Sequence, residues 1–280
     1  MKQVVLCADD FGLSEAISQG IIDLAEKSRI SAISCITTHS DWIKYASFLK
    51  AYRSRLDVGL HFNLTEGTPL GPLPSFAPLD KFPSLPTVIM KAYSHQIKAP
   101  EIAEELTRQL DNFVATTGHL PDYIDGHEHI HHLPGIREAV FTVYEKHLRS
   151  RPVYLRVATN GLASLLKIYP GCIKASIITL TGASHFKKAV KARRIPHNHS
   201  FSGIYSFSKA KDYAKLFPQF LQQVQEGGLI LCHPGRESLD FSDGLRQNRW
   251  YEYQYLNSEQ FLEDCKLAKV KIGRLKYSLA

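Results

Sequence analysis

The sequence predicts a single α/β domain in which mostly parallel strands form a barrel-like sheet. Strand-like and helix-like segments alternate along all 280 residues, a pattern typical of parallel strands joined by crossover helices. No linker, repeat or low-complexity tract divides the chain, and α/β barrels of this length form one unit. Apolar residues at 44% and charged residues at 22% are ordinary for a globular protein with a large core.

The first part of the chain follows this alternation. Residues 3–8 (QVVLCA) are an apolar run that predicts a buried strand, and Asp9 to Gly12 are predicted to form a loop. Ser14 is a suitable N-cap for an amphipathic helix over 14–28. The next predicted elements are a strand at 32–38, a helix at 41–52 and a strand at 57–64.

A proline-rich stretch at about 67–100 interrupts the alternation. Six prolines stand close together in its first part, at positions 69, 72, 74, 78, 83 and 86. Because most connections in compact domains are far shorter, a segment of this length predicts an active-site loop or lid.

The remaining elements continue the pattern to the end of the chain. A strong helical pattern over 101–118 ends at Gly118, and another helix is predicted after Pro134. Residues 160–225 are the least clear part and are expected to contain helices with one short strand. The predicted strands of this half cover 121–129, 153–159, 227–235 and 270–279.

Four predicted strands end in ionisable residues, although a buried parallel strand should end in apolar or turn-forming residues. The residues are Asp9 and Asp10, His61, the run from Asp125 to His129, and His233. Each has a structural explanation, since aspartate suits a helix cap and a lone histidine is often a core residue. The carboxyl ends of parallel strands meet at one edge, however, and active sites lie there. Four such ends together predict metal or acid/base chemistry.

The residue types indicate that chemistry but leave several ligand sets open. Adjacent aspartates at a strand end point in different directions, so one can bind a metal while the other acts as a base. An extended chain would place alternate residues of the histidine run on one face, and imidazole and carboxylate suit zinc and other divalent ions. Spacing alone would equally allow Asp9, Asp125, His129 or His131 at the metal, besides Asp10, His61 and His127.

Four motifs resemble those of the YdjC-like carbohydrate deacetylases, a family that includes cytoplasmic chitooligosaccharide deacetylases and hopanoid-associated deacetylases. The motifs are ADDFGLS (8–14), GLHFNLTEG (59–67), the DxHxHxH run from Asp125 to His131, and CHPG (232–235). They occur in the family's order and span almost the whole chain. The resemblance implies a distorted (β/α) barrel that hydrolyses an N-acetyl group on a sugar.

The resemblance also implies one bound divalent metal ion. Its ligands would be Asp10, His61 and His127, which match the family's second aspartate, GLH histidine and first histidine of the run. Two histidines and an aspartate suit zinc by ligand type, and the family also uses magnesium. Neither the metal's identity nor the exact sugar follows from the sequence.

Three further roles come with the resemblance. Asp9 corresponds to the catalytic base, His233 to the general acid, and Arg156 to an arginine that orients the base. Gly126 departs from the family pattern, where serine or a similar small residue is expected.

The predicted enzyme is thus a metal-dependent carbohydrate N-deacetylase that releases acetate, with an N-acetylglucosamine oligosaccharide as the expected substrate. One alternative is a metal-dependent phosphoesterase on a similar barrel, which would need two or three metal ions and further ligands such as His129 and His131. A second alternative is a non-catalytic basic protein that binds nucleic acid.

The charge distribution disfavours nucleic-acid binding despite a net charge of +7. Basic residues are spread along the chain, and the densest stretch, HFKKAVKARR (185–194), alternates with apolar residues as an amphipathic helix does. The cysteines (Cys7, Cys35, Cys172, Cys232 and Cys265) are odd in number and widely spaced, which predicts a reducing compartment. The sequence contains no apolar run that predicts a signal peptide or a membrane span, so a cytoplasmic protein is expected. A homodimer is one expectation for its assembly.

Overall fold

A computed structural model describes residues 1–159 and 182–276 of the chain. Outside the described residues lie the first part of the stretch predicted at 160–225, which includes Cys172, and the end of the predicted last strand. The strands within them are β1 (Lys2–Phe11), β2 (Ala32–Cys35), β3 (Asp57–Phe62), β4 (Tyr123–Gly126), β5 (Tyr154–Leu155), β6 (Phe201–Ser202), β7 (Leu229–Cys232) and β8 (Val270–Ile272).

These strands form one curled parallel sheet, which confirms the predicted fold class. The order across the sheet is β5-β4-β3-β2-β1-β7-β6, and β8 pairs in parallel with the start of β1. Ala8 of β1 is in register with Cys232 of β7, and His61 of β3 with Asp125 of β4. The carboxyl ends of β4, β3, β1 and β7 therefore bring the ionisable residues to one edge of the sheet, as expected for this architecture.

The two outer strands of the sheet approach each other through the segment before β6. Leu155 of β5 forms an isolated parallel bridge with His197. The buried Asn198 side chain accepts the Val157 N–H at 2.7 Å and donates to the Val157 carbonyl at 2.9 Å. A side chain thus completes the hydrogen bonding between the sheet's edges, which explains why the strand predicted at 153–159 contains only two ladder residues.

The helices lie between successive strands and cover the sheet. Within residues 1–159 and 182–276 the α-helices are α1 (Glu15–Glu26), α2 (Ser40–Leu49), α3 (Leu85–Tyr93), α4 (Ala99–Thr117), α5 (Ile136–Val143), α6 (Ser184–Ala192), α7 (Tyr213–Gln223), α8 (Arg246–Leu256) and α9 (Glu259–Leu267). Ser14 caps α1 as predicted, because its side chain accepts the Ile17 N–H. Gly118 ends α4 at a φ of 79°, a left-handed conformation that favours glycine.

Two predicted loops differ from the structure. The stretch from Asp9 to Phe11 continues β1, and the pairing of β1 with β2 shifts register between Ala8 and Phe11. This bulge, where Asp10 has a φ of 74°, accommodates polar residues without ending the strand. The proline-rich segment is not structureless either, because α3 forms within it with a proline in its first turn.

Other features agree with the chain's composition. Most of the densest basic stretch lies in α6, which buries Phe186 and Val190 and leaves Lys188 and Lys191 exposed. The four described cysteines are free and buried. Among the described helices, none combines the length and apolar character needed to cross a bilayer.

Candidate metal and acid/base site

A cavity of about 1010 Å³ opens at the carboxyl edge of the sheet. Five of the six residues singled out from the sequence line it: Asp9, Asp10, His61, His127 and His233. The sixth, Arg156, is fully buried beneath Asp9. The cavity is therefore the place where the strand-end residues meet.

Asp10, His61 and His127 form a buried group whose ligand atoms all lie within 4.8 Å of one another. His127 Nδ1 is 2.9 Å from Asp10 Oδ1, and His61 Nε2 is 3.4 Å from the same oxygen. A carboxylate and two imidazoles that converge in this way are a donor set that a divalent cation can occupy.

The charges in this group are those of a cation site. Burial alone would lower the pKa of His61, but the negative charges of Asp125 and Asp9 outweigh it and raise the pKa to about 9. Burial likewise opposes protonation of His127, yet Asp10 raises its pKa to about 10. The nearby carboxylates therefore favour the protonated, positively charged form of both histidines. A metal ion can supply the same positive charge in place of the protons.

Asp9 lies beside this group but has a different partner. Arg156 Nη1 donates to Asp9 Oδ1 at 2.6 Å, and Arg156 Nη2 donates to Asp9 Oδ2 at 2.9 Å. Burial raises the pKa of Asp9, but the charges of Arg156 and His61, together with the hydrogen bonds from Arg156, more than offset this and the net shift is downward. The bulge in β1 thus separates two adjacent aspartates into two environments.

Asp125 connects the two halves of the site. Asp125 Oδ1 is 2.6 Å from His61 Nδ1, and Asp125 Oδ2 is 2.9 Å from Arg156 Nη1. The Ser34 hydroxyl also donates to Asp125 Oδ2 at 2.7 Å. When His61 donates its Nδ1 proton to Asp125, its Nε2 lone pair is left towards Asp10, as in many metal sites. Asp125, which spacing had left open as a ligand, supports the histidine instead.

The histidine run does not continue as an extended strand, so the expected shared face of Asp125, His127, His129 and His131 is wrong. β4 ends at Gly126, and His127–His132 form a tight 3₁₀-type turn in which Glu128 and His129 have positive φ. The left-handed backbone breaks the alternation of side chains. Of these histidines, His127 joins Asp10 and His61 in the candidate metal group.

His131 has a structural position below the site. Its Nε2 donates to the Arg156 carbonyl at 3.0 Å, and burial, with the nearby His132 and Arg156, holds its pKa well below the usual range. A Cβ on Gly126 would lie 2.7 Å from His131 Nδ1. Position 126 is where the sequence departs from the family pattern, and glycine there lets the turn His127–His132 pack tightly against β4.

Helix α8 supplies two site residues that the sequence patterns did not indicate. Arg249 Nη1 donates to Asp10 Oδ2 at 2.8 Å, and Arg249 Nε donates to Asp243 at 2.9 Å. Glu252 accepts the His233 backbone N–H at 2.7 Å and the Tyr205 hydroxyl at 2.6 Å. Both residues lie outside the motifs, and the fold places Arg249 in the cavity wall and Glu252 behind it.

The rest of the cavity wall is partly apolar. Leu85, Pro86 and Ile89 of α3 line one part of it, and the aromatic rings of Tyr205 and Phe207 line another. The proline-rich segment therefore contributes to the cavity through α3. The aromatic residues of the segment WYEYQY (250–255) are not among the lining residues.

A second acidic group lies beneath the first. Cys7, Asp9 and Asp125 also have potential ligand atoms within 4.8 Å of one another. Arg156 forms ion pairs with both carboxylates at 2.6 and 2.9 Å. The guanidinium already contacts both carboxylates of this group, which weakens the case for the two-metal or three-metal site of a phosphoesterase.

The chain is similar in sequence to a known protein family and to named deacetylases. A family model described as YdjC-like protein matches residues 3–267. A carbohydrate deacetylase of Danio rerio is 36% identical over 140 residues, which cover 49% of this chain and 44% of the relative. A chitooligosaccharide deacetylase of Yersinia pestis (strain Pestoides F) is 37% identical over 166 residues, covering 58% and 63%. The alignments thus span less than two thirds of either relative.

A solved structure shares the fold across the whole domain. It is an Enterococcus faecalis protein named as a candidate cellobiose-phosphate cleavage protein, with a TM-score of 0.74 and 17% identity. The match covers 98% of this chain and 97% of the other. At this identity the similarity concerns the fold alone.

The pairing of Arg156 with Asp9 and Asp125 leads to a prediction about stability. We expect Arg156→Gln to lower the free energy of unfolding at pH 7.5 by about 3–5 kcal/mol, because two buried carboxylates lose their counter-charge. The lowered pKa of Asp9 means that this ion pair stabilises the fold above pH ~4 and less as the pH falls. In the variant the pKa of Asp9 should rise, so the deficit should shrink from pH 7.5 to pH 5.

Urea unfolding in metal-free buffer at the two pH values measures this difference. Arg149→Gln is the matched control, since Arg149 is exposed and contacts Glu145 at 3.3 Å on the surface. It should change stability by no more than about 0.5 kcal/mol at either pH. An Arg156→Gln deficit of the same size at pH 7.5 and pH 5 would contradict the account.

Proposed function

The chain belongs to the YdjC-like protein family, and we propose that it is a metal-dependent carbohydrate N-deacetylase. In this proposal it removes the acetyl group from an N-acetylated sugar and releases acetate. The observation that carries the proposal is the contrast between two neighbouring carboxylates in one cavity. Asp10 converges with two histidines, whereas Asp9 stands beside them in a bidentate ion pair with Arg156.

We propose one divalent metal ion, Mg²⁺ or Zn²⁺, with Asp10, His61 and His127 as its protein ligands. The donor set fits, because three protein ligands leave positions open for substrate and water. The hydrogen bond between His61 and Asp125 and the ion pair between Asp10 and Arg249 support the ligands from behind. When bound, such an ion would polarise the acetyl carbonyl and lower the pKa of a water molecule.

Asp9 is the proposed general base. Its lowered pKa keeps it ionised near neutral pH, so it can accept the proton of the attacking water. Arg156 holds both of its oxygens, which fixes the carboxylate in the cavity wall and restricts its rotation. Arg156 thus acts through Asp9 as a positioning residue.

His233 is the proposed general acid. Water's oxygen forms a bond to the acetyl carbon, and the resulting tetrahedral intermediate then loses the sugar nitrogen as the C–N bond breaks. The nitrogen needs a proton to leave as an amine, and His233 at the end of β7 lines the same cavity. Water therefore contributes its hydroxyl to acetate, and one proton passes to the sugar amine.

The proposed substrate class is an N-acetylglucosamine oligosaccharide. The named activities of the two relatives, carbohydrate deacetylase and chitooligosaccharide deacetylase, support this class. The cavity volume of about 1010 Å³ is at the upper end of small-molecule sites, which fits an oligosaccharide. The apolar surface of α3 offers contact for sugar-ring faces or for the acetyl methyl group. Cytoplasmic location and a homodimer stay predictions.

Acetate release from di-N-acetylchitobiose tests the function. The purified protein should release acetate, lose this activity when a chelator removes the metal, and regain it when Zn²⁺ or Mg²⁺ is restored. Absence of acetate from this and several other N-acetylated sugars, with one metal ion per chain shown by elemental analysis, would contradict the proposal.

Replacing each of the two aspartates by asparagine tests which of them is the base and which is the metal ligand. Asp9→Asn should retain one metal ion per chain but lower kcat by about 10²–10⁴-fold, because the base is lost. Asp10→Asn should lose the ion, since a charged ligand becomes a neutral amide. Elemental analysis and acetate assays measure both, with the exposed Asp111→Asn on α4 as control. If Asp9→Asn released the metal and Asp10→Asn kept it, the roles would be reversed.

A further inference from the structure

Glu252 is a buried acid that the proposed reaction does not use. It lies on α8, is 0% exposed, and extends both carboxylate oxygens towards groups of the cavity wall. Oε2 accepts the backbone N–H of His233 at 2.7 Å, and Oε1 accepts the hydroxyl of Tyr205 at 2.6 Å. An ionisable group in the core is costly unless it is paired, so its position is informative.

The segment that follows β7 is attached to α8 at two points. Besides the Glu252 bond to His233, the Gly235 N–H donates to the Arg249 carbonyl at 3.2 Å. Pro234 between them has no N–H and a restricted φ. A Cβ on Gly235 would lie 3.2 Å from Arg249 Cβ, so helix and segment are in close contact. The backbone that carries His233 is therefore held against one face of α8.

The same helix face also reaches the proposed metal ligand. Arg249 and Glu252 are three residues apart and so lie on neighbouring positions of one helix face. Arg249 Nη1 donates to Asp10 Oδ2 at 2.8 Å, and the Glu252 carboxylate accepts the backbone N–H of His233. One rigid turn of helix thus contacts both the aspartate of the metal group and the residue proposed as the acid.

We infer that Glu252 is a positioning residue that holds His233 at the distance from the metal group at which it can protonate the departing sugar amine. The inference rests on the proposed deacetylase function and adds a residue outside the motifs to it. Charge-assisted hydrogen bonds such as carboxylate to N–H are stronger than neutral ones. Burial raises the pKa of Glu252 to about 7, so the tether is tightest above that pH. The bond from Tyr205 holds the carboxylate itself in place.

A double-mutant cycle on the metal-loaded protein tests this inference. Glu252→Gln should lower kcat for acetate release from di-N-acetylchitobiose at least tenfold, with KM within about twofold and one metal ion per chain retained. In the His233→Ala background, the same change should have no further effect, because Glu252 acts through His233. Glu263→Gln, an exposed glutamate on α9, is the control and should leave kcat unaltered.

A purely structural Glu252 would give a different pattern. The losses from Glu252→Gln and His233→Ala would then multiply in the double variant, and that result would overturn the inference, as would an unaltered kcat in Glu252→Gln. Tyr205→Phe provides a milder variant if Glu252→Gln does not fold, because it removes one hydrogen bond from the carboxylate and leaves the charge. Tyr205→Phe should lower kcat less than Glu252→Gln does, and it should have no effect in the His233→Ala background.

Hydrogen exchange separates the tether from the function. The His233 amide should exchange at least tenfold faster in Glu252→Ala than in the unaltered protein, and at the original rate in Glu263→Gln. Unchanged exchange in Glu252→Ala would overturn the tether whether or not the protein deacetylates sugars. Absence of acetate from the unaltered, metal-loaded protein, with the exchange result as expected, would instead overturn the proposed function and leave the tether in place.

Discussion

The site depends on one buried guanidinium. Arg156 is fully buried and forms ion pairs with Asp9 of β1 and Asp125 of β4, two buried carboxylates that would otherwise lack a counter-charge between them. Its ion pair with Asp9 fixes one carboxylate, and its ion pair with Asp125 fixes the acceptor of His61. The orientation of the histidine and that of the aspartate are thus set by the same cation. Bidentate geometry of this kind favours arginine over lysine.

The bulge in β1 is what allows adjacent residues to have unlike roles. A regular strand would direct Asp9 and Asp10 to opposite faces of the sheet, one of them away from the barrel interior. The register shift and the positive φ of Asp10 let both carboxylates reach the cavity, where one meets Arg156 and the other meets His127 and Arg249. Helix α8 then supports this arrangement from the far side, because its residues contact both Asp10 and the backbone of His233.

Local patterns predicted the sheet, the main helices and the strand ends that line the cavity, since period and turn residues are properties of short segments. The predictions from local patterns were wrong where contacts between distant residues determine the structure. β5 is short because Asn198, over forty positions away in the chain, occupies the backbone groups of Val157. The histidine run turns because Gly126 permits close packing against His131. Glu252 was missed because no spacing on a helix indicates which distant backbone N–H a buried side chain will meet.

In the proposed enzyme a single metal ion occupies the group formed by Asp10, His61 and His127, and Arg156 excludes a second ion from the group beneath it. Anomalous X-ray diffraction from crystals grown with Zn²⁺ or Mn²⁺ locates the ion. We expect one strong anomalous peak in the cavity, within bonding distance of those three side chains, and Asp9 outside the coordination sphere. A peak among Cys7, Asp9 and Asp125, or two ions in the cavity, would contradict it.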